Sequence, residues 1–381
     1  MSALARAHGA INLGQGFPDA AGPQSVRAAA ADAVLNGPHH YPPMRGMMEL
    51  RTALADFYGA TQGLAVDAEH GTLVTSGATE ALASAIFALV APGDEVIILA
   101  PAYDAYAPLV RRAGAVPRFV TLVPPDFAVS AEALAAVVSA KTRAILVNDP
   151  VNPTGRMLRE SDRAAIAGLA LAHDLFVIAD EVWEEVRPPG VAHVSLSANP
   201  LLADRVVKIG SAGKIFQATG WKVGWALAAA PLTDRMAAMH QYLTFTTPPA
   251  LQLATAYGLK HERAWLEAMR VEMARSRALL AEALAAADYV VLPGEATWFL
   301  NIDLAASGIT MTDRAFCRHL VTRHGVAAIP VSAFHEGPDA PDAVVRFCHA
   351  KSAATIRAAI PGIAAAKFSP RPGGGDEPTG R

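Results

Sequence analysis

The chain has 381 residues, 52% of them hydrophobic and 18% charged, with a formal net charge of -3 and a pI near 6.5. That length suits a large domain plus a smaller one, and the apolar fraction points to burial that extends to a subunit interface. The balanced charge, with no long Lys/Arg run, argues against a nucleic-acid partner.

Residues 1–45 carry INLGQGFPD and the start of YPPMRGMMELR, and are expected to pack with the smaller domain or across a dimer interface. The first residues contain no uninterrupted apolar run, and stretches such as 78–91 stop at Pro/Gly turns. Neither a signal peptide nor a membrane span is expected, and the location expected is the cytoplasm. From residue 72 onward, short runs rich in Val and Ile (TLVTSG, EVIILAP, VPRFVTL, TRAILVND, LFVIADE, VVKIGS, WALAA) alternate with Ala/Leu segments of helical length at 78–90, 103–113 and 160–173. This is the pattern of an α/β fold, a doubly wound domain with a mainly parallel sheet, placed at residues 46–250. Residues 251–287 read as one connecting helix, and 288–366 as a smaller α+β domain with strands EATWFLNIDL, VAAIPVS and VVRFCHA, a helix at 312–324 and a last helix through 366. The Pro/Gly-rich stretch 367–381 reads as a disordered tail. Two cysteines, Cys317 and Cys348, are too few for a disulfide framework, and no internal repeat or metal-ligand spacing is found.

Chemistry concentrates where strands end. SAGKIFQATGWKVGW, residues 211–225, follows the strand VVKIG, at the sheet edge where α/β folds bind ligands. Lys214 there is flanked by small residues that leave room around its amine, and a desolvated lysine is a usable nucleophile. In LVTSGATEAL, a helix beginning near Ala78 and Thr79 offers free N–H groups to a phosphate, with the Thr79 hydroxyl as a further donor. Asn152 leads the NPTG turn, and Asp180 and Glu181 end the strand LFVIADE, where a buried carboxylate needs a cation or a donor. Arg346, in VVRFCHAK, has the planar fork that suits a carboxylate. Each signal alone has an ordinary explanation: a surface lysine, a capped helix, a turn, a solvated acid, a salt-bridged arginine.

Taken in order, INLGQGFPD, YPPMRGMMELR, SGATEAL, PAYDAY, NPTG, DEVWEE, SAGKIFQATGWKVGW and RFCHAK resemble the fold type I pyridoxal 5′-phosphate (PLP) aminotransferases of class I/II. The likeness is to the kynurenine aminotransferase/glutamine transaminase K and methionine aminotransferase branch, and it covers nearly all of the chain except the tail. It implies a cofactor, PLP, carried by Lys214 as a Schiff base, with Lys214 also moving the substrate proton. It implies Asp180 on the pyridine N–H, Tyr103 stacked on the ring, and Asn152 touching the cofactor's O3′ and the substrate carboxylate. Gly77, Ala78, Thr79, Ser211 and Lys222 would hold the phosphate, and Tyr41 would reach the phosphate of the neighbouring subunit in a homodimer. Arg346, helped by the Gly16 backbone, would bind the α-carboxylate, and Phe17 would line an aromatic side-chain pocket.

No second arginine for a distal carboxylate is evident. The expected reaction is therefore amino transfer from a neutral or aromatic L-amino acid, of the methionine, phenylalanine, glutamine or kynurenine type, to a 2-oxo acid by a ping-pong mechanism. Two departures stand out. Trp183 occupies a position where many relatives carry a tyrosine that donates to O3′, so a raised imine pKa is expected. The relatives also carry a longer N-terminal arm. The alternatives are a cysteine-conjugate carbon–sulfur β-lyase on the same scaffold and a PLP-binding regulator, the latter without residues for a DNA-binding module.

Overall fold

The computed structural model describes residues 1–336 and 340–367, and the apolar runs become its strands. The short β1 (Ile11–Asn12) stands apart from a seven-stranded sheet made of β2 (Thr72–Thr75), β3 (Glu95–Ala100), β4 (Val116–Thr121), β5 (Thr142–Asn148), β6 (Phe176–Asp180), β7 (Val206–Ser211) and β8 (Gly224–Leu227). The order is β2-β8-β7-β6-β5-β3-β4, and β8 runs against both of its neighbours while β4, β3, β5, β6 and β7 are mutually parallel. Helices cover both faces of the central strands, so β5, β6 and β7 read as continuous apolar runs. The edge strand β4 instead alternates exposed and buried residues and tolerates Pro117.

Register then fixes which residues meet at the carboxyl edge. Asn148 pairs with Asp180 across β5 and β6, and Ser211 pairs with Gly224 across β7 and β8. The helix Ala78–Leu89, buried along most of its length, packs against β6, β7 and β8 and the helix Ala230–Leu243, so its first turn points at that same edge.

A four-stranded antiparallel sheet forms separately from β9 (Val290–Val291), β10 (Phe299–Asp303), β12 (Ile329–Pro330) and β13 (Val344–Cys348), in the order β12-β13-β10-β9. The remaining strand, β11 (Val326–Ala327), pairs in parallel with β1. The helix Asp313–His324 starts where the Thr312 hydroxyl accepts the Ala315 N–H and ends at left-handed Gly325, as capping rules dictate. With Ala353–Lys367 it closes a core that includes Leu300, Phe316 and Phe347.

The stretch read as one helix from 251 to 287 is two helices, Pro249–His261 and Arg263–Ala286, separated at Glu262. The first packs on Gln24–Asn36 and Met48–Gln62, beside the large sheet, and the second reaches the helix Ala353–Lys367. The N-terminal segment divides in the same way: β1 joins β11, whereas Gln24–Asn36 lies against Pro249–His261. Of the expected tail, Lys367 closes the last helix, and residues 368–381 lie outside the described residues. Among the described residues, no helix is long and apolar enough to cross a membrane.

Candidate active site

At the carboxyl ends of β5, β6 and β7 lies a cavity of about 160 Å³ that gathers Gly77, Ala78, Thr79, Tyr103, Asn152, Asp180, Ser211, Lys214 and Lys222. These come from five separate stretches of sequence. Lys214 sits on the single helical turn Ala212–Ile215 that follows β7. Burial pulls its amine down to about 8, opposed by the attraction of Asp180. Its Nζ lies 4.4 Å from the centre of the Trp183 ring and 5.0 Å from that of Trp298.

Asp180 ends β6 fully buried, and burial pushes its carboxyl up to about 6 against the hydrogen bonds that favour ionisation. Tyr106 donates its hydroxyl to Oδ2 at 2.6 Å, and the Val182 N–H reaches Oδ1 at 3.4 Å. Asn148 stitches the edge together: its amide donates to the Asp180 carbonyl at 2.8 Å, and its Oδ1 accepts the Asn152 N–H at 2.7 Å. Neither Tyr106 nor Asn148 stands among the site residues expected from the sequence. They lie in PAYDAY and TRAILVND, and a polar residue closing an apolar run is the available signal for Asn148.

Across the cavity the helix Ala78–Leu89 begins at Gly77, whose φ of +82° is open to glycine at no steric cost. A Cβ there would stand 3.0 Å from Lys222 Nζ, so the glycine also admits the ammonium to the helix start. Free N–H groups, the positive end of the helix dipole and Lys222 make this corner an anion site, with the Ser211 side nearby.

Arg346, on β13, does not line the cavity but borders it through Asn152, donating from Nη1 to Asn152 Oδ1 at 2.8 Å and from Nη2 to the Gly14 carbonyl at 3.0 Å. Its guanidinium lies 3.8 Å from the centre of the Phe299 ring, and burial pulls it down to about 10. Among the described residues it forms no salt bridge, so the internal ion pair that usually explains a buried arginine is not what holds it. Gly16 rests on Phe299, where a Cβ would approach to 2.6 Å, and it is Gly14 rather than Gly16 whose backbone meets Arg346. Phe17 is 43% exposed, its carbonyl accepting from Lys351 Nζ at 2.9 Å. Tyr41 is outside the cavity, 84% exposed and edge-on to Phe245 at 5.5 Å.

Behind the cavity Glu181 turns the other way from Asp180. Lys208 bridges Glu181 and Glu184, all three fully buried, and Tyr58 donates to Glu184. Glu181, Glu184 and His193 are spaced as metal ligands could be, but the Lys208 ammonium already sits on both carboxylates. It holds Glu181 below the ordinary carboxylate range despite burial.

Residues 8–363 match the sequence profile of Aminotransferase class I and II. The chain belongs to this aminotransferase family. Over 359 residues this class I/II aminotransferase is 41% identical to methionine aminotransferase of Escherichia coli strain K12, covering 94% of this chain and 92% of that protein. A solved structure of N-succinyldiaminopimelate aminotransferase from Mycobacterium tuberculosis matches with a TM-score of 0.93 at 41% identity, covering 96% of each chain. Human kynurenine–oxoglutarate transaminase 1 is 32% identical over 390 residues, covering 93% of this chain and 92% of that one. Class I/II aminotransferases use PLP.

Proposed function

We propose that this aminotransferase holds PLP in the cavity between Asp180 and the first turn of Ala78–Leu89, as a cytoplasmic homodimer, and transfers the amino group of a neutral or aromatic L-amino acid to a 2-oxo acid. The observation that carries the reading is the pairing of Lys214 and Asp180 across one cavity. An enclosed amine brought down to about 8 faces an enclosed carboxylate raised to about 6, and an anion site lies alongside. A flat ring with a cationic N–H, an aldehyde and a phosphate fits that donor set. Asp180 has no cation in contact and can accept the ring N–H, the aldehyde carbon falls to Lys214, and the phosphate falls to Gly77, Ala78, Thr79, Ser211 and Lys222.

The chemistry supplied by the bound cofactor is an electron sink for the carbanion left when a Cα–H bond breaks. The chain's own groups do the rest. Lys214 Nζ takes and returns the proton, Tyr103 covers a ring face, and Asn152 orients the cofactor oxygen and the substrate carboxylate. Arg346, steadied by Asn152 and Gly14, offers its fork to the α-carboxylate; the Gly16 backbone is assigned to the same carboxylate and Phe17 to the substrate side chain. Tyr41, exposed in a single chain, is assigned to the phosphate of the neighbouring subunit. A neutral donor of the methionine, phenylalanine, glutamine or kynurenine type is supported by the identities to methionine and kynurenine transaminases and by the cavity's own cations, which are Lys214 and Lys222.

The equal identity to an N-succinyldiaminopimelate aminotransferase motivates a second donor, and β-elimination from a cysteine conjugate is the second chemistry. The visible spectrum of the purified enzyme, followed while single amino acids are added without acceptor, separates them. Conversion to the pyridoxamine form by methionine or phenylalanine, lost in Lys214→Ala, is the expected result. Conversion by N-succinyldiaminopimelate alone would reassign the donor, and pyruvate released from a cysteine conjugate without a 2-oxo acid would reassign the chemistry. Absence of bound PLP would overturn the reading.

A further inference from the structure

The amine of Lys214 lies in a corner made by two indoles. Its distances of 4.4 Å to the Trp183 ring centre and 5.0 Å to the Trp298 ring centre both fall inside the ~6 Å reach of cation–π attraction. The rings meet edge to face, 4.8 Å apart at 87°, so they form two walls of a right angle. Trp183 follows β6 and Trp298 precedes β10, and Phe299 backs Trp183 at 5.4 Å.

The identity of residue 298 is itself informative. Its indole N–H is buried with no hydrogen-bond partner among the described residues, a desolvation cost that a phenylalanine would not carry. What an indole adds over a phenyl ring is a larger, more electron-rich face, the strongest aromatic partner for an ammonium. Among the described residues the Lys214 amine has neither a hydrogen bond nor an ion pair. The charges that face it are divided: Asp180 favours the ammonium, whereas Lys222 and Arg346 oppose it, and the nearby Cys348 thiol is kept neutral by burial. The indole faces are therefore favourable contacts that the amine keeps without a hydrogen bond or an ion pair.

We propose that Trp183 and Trp298 form a cation cradle that holds the Lys214 ε-ammonium whenever the amine is protonated and free of the cofactor. Both are positioning residues acting through Lys214. The catalytic use of the cradle rests on the reading of Lys214 as the cofactor lysine. There the amine must hold a proton at Nζ between its removal from one carbon and its delivery to another, and a cradle keeps that proton carrier in place instead of letting it swing toward the charged edge of the cavity.

The test is a titration of the full-length chain, freed of cofactor, by NMR of ε-carbon-labelled lysine. The chain has seven lysines, and the Lys214 signal is assigned by its loss in Lys214→Met. Trp183→Leu, which removes one face, is expected to lower the Lys214 pKa by about one unit, and Trp183→Phe by roughly half as much. An unchanged or raised pKa in Trp183→Leu overturns the cradle. So does an equal drop in both variants, since that would report packing and not the indole face. Should Trp183→Leu lose its cooperative thermal transition, Trp183→Phe and Trp298→Phe decide: a lowered pKa in either supports the cradle, and no change in both overturns it. Borohydride reduction with PLP, followed by mapping of the labelled lysine, checks the underlying reading separately. Labelling away from Lys214 would sink the cofactor assignment and leave the pKa result standing, whereas labelling at Lys214 with an unmoved pKa would sink the cradle alone.

Discussion

Lys208 and Lys214 leave the same strand and its following turn, both largely shut away from water, yet their acid–base behaviour diverges. Lys208, sealed against Glu181 and Glu184, is held above the ordinary lysine range, whereas Lys214 is drawn down to about 8. The neighbouring acids divide in the same sense: Glu181 is lowered by Lys208, and Asp180, one residue earlier, is raised to about 6. Burial penalises all four charges alike. What separates the pairs is contact, since Lys208 touches both of its carboxylates while Lys214 and Asp180 face each other across open space that a ligand can enter. One region spends its charges on holding the strand ends together, and the other keeps them unspent for chemistry.

The largest break in this comparison comes from exchanging a lysine for a neutral side chain on each side. Lys214→Ala is expected to slow conversion of the cofactor by an added amino acid about 10⁴-fold, the upper range for loss of a general acid–base group, while the thermal transition stays close to that of the parent chain. Lys208→Met is expected to do the opposite. Two buried carboxylates lose their cation, so the chain should be destabilised by about 3–5 kcal/mol in chemical denaturation. The pH dependence carries the sign. With Lys208 present, Glu181 has a lowered pKa, and its stabilising contribution is present above its unfolded value and fades as pH falls through the folded value. Without Lys208 the buried Glu181 is favoured protonated, so the variant gains on the parent as pH drops. A stability gap between the two chains that stays constant from neutral to acidic pH would show that the cluster does not work through charge.

Much of the sheet could be read directly because β5, β6 and β7 are covered on both faces and so are written as unbroken apolar runs with polar residues at their ends. Those ends are also the cavity wall, and Lys214, Asp180 and Asn152 were legible for that reason. The break at Glu262 was not, because residues 259–265 (LKHERAW) hold neither glycine nor proline and Gly258 lies inside the first helix, a full turn before the interruption, which coincides with a tertiary contact from the Ser25 hydroxyl to the Glu262 carboxylate. Trp298 read only as part of a strand, and its place beside Lys214 exists only once the two sheets are brought together. Tyr41 illustrates a different limit, since a residue that lies exposed in one chain shows nothing of what a second chain would bring to it.

Gly77→Ala sharpens the anion side of the comparison. A Cβ at this positive φ, with ψ at +165°, costs about 1–3 kcal/mol, and here it also presses on Lys222 Nζ, so PLP affinity measured by absorbance should fall roughly tenfold with little change in the Asp180 end of the site. An unaltered affinity would remove Gly77 and Lys222 from the phosphate assignment.

Tyr106→Phe tests the carboxylate side with the smallest change, the loss of one hydroxyl. Asp180 is raised from 3.8 to about 6, so the folded chain takes up its proton at a higher pH than the unfolded chain does, and its burial costs stability increasingly as pH rises through that window. The Tyr106 hydroxyl counters this by donating to the ionised form at 2.6 Å. Removing it leaves Asp180 titrating higher still, and a ligand ring N–H that requires the ionised carboxylate must then bind against a larger protonation cost at mildly acidic pH. The expected outcome is an acid limb of the PLP-binding profile moved up by about one unit, with affinity near neutral pH only a fewfold weaker, as roughly 1 kcal/mol for a single hydrogen bond predicts. A limb that does not move would mean that Asp180 is tuned by burial alone. The contrast with Glu181 would then rest entirely on the presence of Lys208, and not on any donor built into the open side of the cavity.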